Sequence, residues 1–484
     1  MSINFYRLKI IAFGLLCGIS IQLVSMNPDS LSNALGHFDM AQAMSLPLEA
    51  YFSPTGQRRE STILAMREMR VSQGYGDPLY KKFYDMSIVR FYGALSLSVT
   101  MKTRQHVFAE TIGANLFPSQ YLPDVECRDI NAHGKTMFRA QLSRIGVFFN
   151  PFAGLTEKDI YGIIEFDFVG ISLETAYTAK LRHSFGEIVW NSGAFLFGQY
   201  YHPLFLKECF PRTVDYNMGA PFETQGIVPQ LRLSQRIGPL EFVIGLNGES
   251  FFQSYGPELV AVRRSLVFIQ NSVTPNGNFQ AKWIIGNSFY GGTVNYKRLV
   301  PRIVSALDFS VNEYINSMIG ELFAHTVFSW GELNLKLIYS QNGSDQLLIS
   351  GFAVKSQDTQ IGKRTYVNTA AFSAWLDMFW VFYNQELSIG LFTGFTQNLG
   401  ASTSLYRDPT TNQPIIYALN GLAQNIQYTS RISPRIIYAR DAFRFGFECA
   451  WNIIAYGCLD NYGKIFNAVP VNDFLYTISL DYVY

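Results

Sequence analysis

Charged residues are scarce in this chain. They make up 15% of its 484 residues, whereas about a quarter of an average soluble domain is charged. Lysine and arginine number 38 and aspartate and glutamate 37, for a net charge of +1, which gives no reason to expect a nucleic acid as partner. Aromatic residues are plentiful, with 28 Tyr and 40 Phe. We therefore expect much of the surface to contact something other than water.

Catalytic and metal-binding motifs are also missing. The sequence holds no GxGxxG, Walker, HExxH or GxSxG motif, and no CxxC or HxxxH spacing of a metal site. His183 and the pair Glu165 and Asp167 could act as base or acid, but a packed histidine and two water-facing carboxylates are the simpler interpretation. The sequence thus predicts no enzyme, no cofactor and no metal. Whether any cysteine pair forms a disulfide stays open.

A long apolar run occurs only near the N-terminus. In residues 1–25, two cations precede an apolar run over residues 10–24, the plan of a secretory signal peptide. A retained anchor is the alternative, although the run is shorter than the ~20 residues that a spanning helix needs. Residues 26–85 are mixed and polar. We expect them to form a periplasmic segment with one short helical stretch, and this segment is either a simple leader or a plug or oligomerising element.

From residue 86 to the C-terminus, apolar and polar residues alternate strictly in many segments. In "ELNLKLIYS" the leucines oppose Asn334 and Lys336, and the last stretch, "NDFLYTISLDYVY", repeats the pattern. Alternation of this kind predicts strands with one apolar and one polar face. We count about sixteen strands from Ser87 onward, with the weakest pattern at 278–318. Short connections alternate with long ones, which fall near 104–133, 202–225, 250–277, 342–365, 398–416 and 457–472.

This arrangement predicts an all-β protein: a transmembrane antiparallel up-and-down β-barrel over residues 86–484. A strand-based span must close on itself because every backbone amide in a bilayer needs a partner within the protein. Both barrel termini would lie on the short-turn, periplasmic side, and the last strand would pair with the first. A soluble β-sandwich or β-solenoid is the competing interpretation, against which the low charge and the aromatics near strand ends argue. We expect the outer membrane of a Gram-negative-type bacterium as the location.

A cationic cluster is the most informative chemical feature. Strand phase places five cations on the lumen side of neighbouring segments, and segment 202–225 contributes two more. That segment, with its prolines, glycines and large apolar residues, is expected to fold inward and narrow the pore. Rings of Arg or Lys favour anions, but several carboxylates would face the same lumen. The strand cations are Arg139, Lys180, Arg182, Arg232 and Arg236, and the loop cations are Lys207 and Arg212.

One part of the chain resembles a known family. The stretch "RAQLSRIGVFFNPFAG…IYGIIEFDFVG…KLRHSFGEIVWNSGAFLFGQYYHPLF" followed by "GIVPQLRLSQRIGPLEFVIGLNGES" is similar to the DcaP-like porins over about residues 135–250. The resemblance implies a sixteen-stranded, trimeric diffusion channel, often for small organic anions, and adds Arg144 and the loop after Gln199 to the pore lining. Only a bulge would put both Arg139 and Arg144 inside. Val228 departs from the family pattern, which places Arg ahead of the Pro-Gln.

The sequence therefore predicts a passive porin for small hydrophilic solutes, and the cationic cluster and the resemblance add the expectation of a preference for organic anions. Its expected partners are outer-membrane lipid, two further copies in a homotrimer, and the barrel-assembly machinery, which would recognise the C-terminal strand ending at Tyr484. A non-transporting adhesin or structural envelope protein, acting through its long surface loops, is the alternative. The expected pore-lining residues are Arg139, Arg144, Lys180, Arg182, Arg212, Arg232 and Arg236.

Overall fold

The computed structural model describes residues 88–107, 116–150, 159–170, 177–257, 262–382, 386–418 and 425–483. The expected signal peptide, the expected periplasmic segment 26–85 and the terminal Tyr484 lie outside these residues.

In the described part of the chain, sixteen strands follow one another around a closed antiparallel barrel. The second strand, β2, consists of two pieces that both pair with β1. The strands are β1 (Ile88–Lys102), β2 (Lys135–Arg139 and Arg144–Asn150), β3 (Asp159–Asp167), β4 (Lys180–Trp190), β5 (Gly193–Tyr201), β6 (Ile227–Ile237), β7 (Leu240–Asn247), β8 (Asn276–Ile285), β9 (Ser288–Leu299), β10 (Ile315–Phe328), β11 (Gly331–Gln341), β12 (Arg364–Phe382), β13 (Leu387–Ala401), β14 (Ile426–Arg440), β15 (Phe443–Leu459) and β16 (Ile465–Val483).

The barrel closes where its first and last strands meet. β1 pairs antiparallel with β16, and Leu97 lies opposite Leu480 in the register. The side chains also cross the seam, since the hydroxyl of Ser96 donates to Asp481 (2.5 Å). Closure removes both sheet edges. The predicted fold class, an antiparallel barrel of about sixteen strands, is confirmed.

The two faces of the wall have opposite polarity. Apolar side chains point outward and are exposed, as Phe91 and Leu322 are at 74% and 63%. Cations point inward and are buried, among them Lys336 and Arg431 at 0% and 1%. A protein surrounded by water has the reverse arrangement. The alternation along each strand, of period two, produces this division because successive side chains lie on opposite faces.

The connections differ between the two ends of the barrel. At one end, five of the turns between described strands are only two residues long: 191–192, 238–239, 286–287, 329–330 and 441–442. At the other end, the connections span residues 103–134, 168–179, 202–226, 248–275, 300–314, 342–363, 402–425 and 460–464. We call these the turn end and the loop end. The long connection expected at 457–472 is only 460–464, because β15 and β16 extend well beyond their expected ends.

The loop-end connections contain short strands and two helical turns. Two small antiparallel pairs form there, and two further strands join the edge of the wall. The only helical turns in the described residues are Val267–Gln270 and the 3₁₀ turn Ser344–Gln346. None of the described helices is long and apolar enough to span a membrane. The short strands are His106–Val107, Phe117–Pro118, Tyr255–Pro257, Val262–Arg264, Phe352–Gln357 and Ile416–Tyr417.

An apolar cluster joins these loops to one another. It includes Phe117, Phe268, Phe352 and Tyr417, which come from four different loop-end connections. Ala220, from connection 202–226, belongs to the same cluster. We call this cluster the loop cap. It fixes the loops against each other and against connection 202–226.

Candidate functional site

Residues 202–226, the inner loop, leave the wall after β5 and fold into the barrel. Almost every described side chain of this segment is buried, and its apolar residues pack on distant strands. Leu204 contacts the cluster of Ile319 and Ile338, and Phe222 lies 5.9 Å, centroid to centroid, from Phe392. A loop this apolar needs an enclosed environment, and the wall opposite β5 and β6 supplies it.

Polar side chains hold the returning end of the inner loop. Glu223 accepts from Nζ of Lys336 (2.5 Å) and from the indole of Trp375 (2.6 Å). Nζ of Lys336 also donates to the carbonyl of Leu204 (2.9 Å), so one ammonium group binds both ends of the loop. Thr224 donates to Glu321 on β10 (2.9 Å). Buried charges of this kind persist only when they are paired and hydrogen-bonded.

A second set of contacts holds the tip of the inner loop. The backbone amides of Val214 and Asp215 donate to Glu448 on β15, the latter at 3.0 Å. Arg212 donates to Glu332 at the start of β11. Arg431 on β14 donates to the carbonyl of Ala220 (3.1 Å). The inner loop therefore crosses the lumen from β5 and β6 to the wall formed by β10 to β15.

Two cavities flank the inner loop along the wall of β4 to β6. The loop-side cavity is lined by residues near the loop end, including Lys180, Arg182, Tyr201, Tyr216 and Phe251. The turn-side cavity includes residues of the inner loop and of strands near the turn end, among them Tyr200, Phe205, Lys207, Arg232, Glu241 and Lys282. Both cavities combine cations, carboxylates and aromatic rings, an arrangement that suits small polar or anionic solutes.

Arg182 and Lys180 both reach the loop-side cavity. Nη1 of Arg182 lies 2.5 Å from Glu165, and its Nη2 donates to the hydroxyl of Tyr201. Nζ of Lys180 lies 3.4 Å from Asp167 and 4.5 Å from the ring centroid of Phe251. The carboxylates on β3 thus orient both cations, and aromatic faces help to hold them.

Arg139 and Arg144 occupy the same face of the wall despite their odd spacing. In the register with β1, Arg139 lies opposite Ser98 and Arg144 opposite Ala94. β2 advances five residues over this stretch while β1 advances four. The turn at 140–143 contains the extra residue, as a bulge does. Nη1 of Arg139 lies 3.9 Å from Asp215 of the inner loop.

The three remaining expected cations, Arg212, Arg232 and Arg236, lie in three different places. Arg212 is buried at the tip of the inner loop, over the ring of Phe379 (5.1 Å). Arg232 lines the turn-side cavity and donates to the carbonyl of Tyr201 (2.6 Å). Arg236 is exposed in the turn end, where its Nε donates to Gly238 (3.1 Å). The structure therefore places Arg212 across the lumen from the cations of β2, β4 and β6, and it leaves Arg236 exposed at the turn end.

The sequence reasoning missed cations on the rest of the wall. Lys282 lies 3.0 Å from Glu241 in the turn-side cavity, and Arg435 lies 2.8 Å from Asp377 on the opposite wall. Lys336 and Arg431 bind the inner loop. Each of these residues stands in the polar phase of its strand, and that phase was the signal that could have identified them. In the described residues, no group of three or more His, Cys, Asp or Glu could hold a metal ion.

Lys207 is the one cation of the inner loop that faces the turn-side cavity. Burial lowers the pKa of its ammonium group to about 7, because desolvation disfavours the charged form. The ammonium lies 4.7 Å from the ring centroid of Tyr200. Its charge therefore changes near neutral pH, unlike that of an ordinary lysine.

Comparison with known proteins shows which fold this is. No family model matches the chain, and no curated protein matches its sequence. Its structure is similar to the outer membrane channel DcaP of Acinetobacter baumannii, with a TM-score of 0.57 and 13% identity over 85% of this chain and 99% of that one. The barrel has the fold of that channel.

The resemblance stated for residues 135–250 is thus confirmed at the level of fold. A second solved structure, the outer-membrane expressed OmpT of Vibrio cholerae, has a TM-score of 0.48 and 10% identity over 82% of this chain and 98% of that one.

Proposed function

We propose that this protein is a passive diffusion channel of the outer membrane of a Gram-negative bacterium, admitting small hydrophilic solutes. The observation that carries the proposal is the polarity of the closed wall, with an apolar exposed outer face around a charged, hydrogen-bonding lumen. The outer face suits lipid and the inner face suits water and solute. The similarity in fold to an outer membrane channel supports the same reading. Passive passage requires no cofactor, and the protein is not an enzyme.

The inner loop is the constriction in this proposal. It crosses the lumen between two cavities, and the Lys336–Glu223 ion pair together with hydrogen bonds from Lys336 to Leu204 and from Asp215 to Glu448 holds its ends and its tip. A pore narrowed in this way selects by width and by the charges at the narrow point.

The charges at the constriction favour small organic anions. The loop-side cavity has two cations, Lys180 and Arg182, against the single carboxylate of Asp167. The turn-side cavity has three of each sign, including Lys207, Arg232 and Lys282. Glu165 pairs with Arg182 from outside the lining, so the cations are the more numerous charges on the cavity surface itself, where they attract anions, and the aromatic rings beside them suit organic ones.

The assembly we propose is a homotrimer, inserted by the barrel-assembly machinery through β16. The trimer rests on the resemblance of residues 135–250 to DcaP-like porins, and the role of β16 rests on its regular alternation of outward aromatics and inward polar residues. Crosslinking of the purified protein in detergent tests the trimer, since a monomer band alone would exclude it.

Planar-bilayer recording tests the channel. Purified protein should give stepwise conductance, and a salt gradient across the bilayer should give a reversal potential of the sign expected for anions. A silent bilayer would count against the channel itself. A reversal potential of the opposite sign would remove only the anion preference.

A surface or structural role is the second candidate, and the loop cap favours it. Four loop-end connections pack into one apolar cluster, which gives the loop end a fixed surface of the kind that binding partners recognise. Deletion of the gene distinguishes the two functions. Loss of solute uptake supports the channel, whereas loss of attachment with normal uptake supports the surface role.

A further inference from the structure

Tyr201 connects the linings of the two cavities. Its ring lines the loop-side cavity, yet it stacks at 4.7 Å, centroid to centroid, on Phe205, which lines the turn-side cavity. Tyr201 itself is 2% exposed. The two stacked rings therefore line one cavity each, Tyr201 the loop-side cavity and Phe205 the turn-side cavity.

Cations from both cavities bind this one residue. Arg182, in the loop-side cavity, donates to the tyrosine hydroxyl. Arg232, in the turn-side cavity, donates to its backbone carbonyl (2.6 Å). Lys207 lies 5.9 Å from its ring centroid on the turn side. An anion that passes from the loop-side cavity to the turn-side cavity would therefore leave Arg182 and then meet Arg232 and Lys207 beyond Tyr201.

The end of β5 explains why Tyr201 is buried at this point. Tyr200 and Tyr201 are consecutive, and both are buried because β5 ends at this point and the chain turns into the lumen. Tyr200 fills the turn side, where the ammonium of Lys207 lies over its ring. Tyr201 extends toward β4, where Arg182 holds its hydroxyl. The wall strand thus supplies a side chain to the passage at the very base of the inner loop.

We propose that the ring of Tyr201 is the partition between the two cavities and sets the size of solute that passes. This inference rests on the proposed channel function and identifies the narrowest point of its path. The partition lies at the base of the inner loop beside β4 to β6, and not at the loop's tip against β11 to β15.

The test is single-channel recording of the full-length protein carrying Tyr201→Ala, Tyr201→Leu or Tyr201→Phe. Since conductance depends on the narrowest width, we expect Tyr201→Ala to raise it by about twofold or more. Tyr201→Leu, which retains a buried apolar side chain, should give a smaller increase. Tyr201→Phe keeps the ring and should conduct like the wild type. Tyr290→Ala, which removes a ring from the outer face, is the matched control and should also conduct like the wild type.

The outcomes separate this inference from the channel function. Wild-type conductance with unchanged steps in both the alanine and leucine variants would overturn the partition and leave the channel standing. An increase in Tyr201→Phe equal to that in Tyr201→Ala would also overturn it, because the ring would then not be what blocks the path. Silence of the wild type and of all variants, each with the gel mobility of a folded barrel, would overturn both proposals.

Discussion

Nζ of Lys336 lies 2.5 Å from Oε1 of Glu223, and this buried ion pair joins the barrel wall to the inner loop. Both side chains are 0% exposed. Glu321 places a second carboxylate 3.7 Å from the same ammonium group. One lysine therefore lies beside two carboxylates and joins the returning end of the inner loop to β11.

Replacing this lysine should loosen the inner loop. Lys336→Met leaves Glu223 and Glu321 buried without their cation, and breaking a buried pair in this way costs about 3–5 kcal/mol. We expect a lower midpoint of denaturation in guanidinium, followed by tryptophan fluorescence, and noisier open-channel current. Lys355→Met, at an exposed lysine of the loop end, is the control. A wild-type midpoint for Lys336→Met would show that the pair does not hold the loop.

Arg232 and Arg236 offer a matched pair for testing charge selectivity. The two arginines stand four residues apart on β6, but of the two only Arg232 lines the turn-side cavity. Arg232→Ala should reduce the anion preference measured by reversal potential, because it removes a cation from the path. Arg236→Ala should leave that potential unchanged. Equal effects of the two variants would mean that selectivity comes from the general field of the turn end.

Lys207 should make the anion preference depend on pH. Its pKa of about 7 means that it is cationic below that pH and neutral above it, so anion preference should fall as pH rises from about 6 to about 8. Its charged neighbours are Glu187, Glu208, Glu165 and Arg182. Glu249 in connection 248–275 also has a pKa raised by burial to about 7, and its ionisation acts in the same direction.

The variant Lys207→Met isolates the contribution of the lysine to this pH dependence. Reversal potentials recorded for the wild type and the variant across the same pH range provide the measurement. We expect the variant to have a weaker anion preference at low pH and a flatter profile. Identical profiles would assign the pH dependence to Glu249 or to another group.

Adjacent residues on β6 should respond oppositely to the same new charge. Leu233 faces outward and is exposed, whereas Ser234 faces inward and lines the turn-side cavity. Leu233→Arg places a cation in the lipid-facing band at a cost of about 2–4 kcal/mol near the midplane. We expect it to reduce the amount of folded protein in the membrane, measured by the fraction with heat-modifiable gel mobility. Ser234→Arg should assemble normally and alter only conductance, and the reverse result would contradict the assignment of the two faces.

The face assignments were predictable from the sequence, even where the pattern was weak. Region 278–318 shows the poorest alternation, yet it forms β8, β9 and the start of β10. Closure explains this result, because each strand must pair on both sides and its neighbours impose the extended structure. The same reasoning did not locate the ends of β15 and β16. Strand length beyond the bilayer depends on pairing between the two strands, which the alternation does not report.

The bulge in β2 is a feature of the wall that the alternation of apolar and polar residues does not predict. The odd spacing of Arg139 and Arg144 indicates that a bulge is needed if both face inward. The sequence alone does not say whether it forms. The decision comes from the pairing with β1, which matches four residues to five.

The sequence by itself determined which side chains face lipid and which face the lumen, because strands alternate with a period of two wherever they lie. The tertiary structure decided which charges meet across the lumen. Val214 and Asp215 bind Glu448 from more than 200 residues away, and Lys336 binds Glu223 across 113 residues. Which residues become partners depends on the position of each strand around the barrel and on the path of the inner loop. Both are set by closure of the whole barrel and by packing inside it, and no local pattern encodes them.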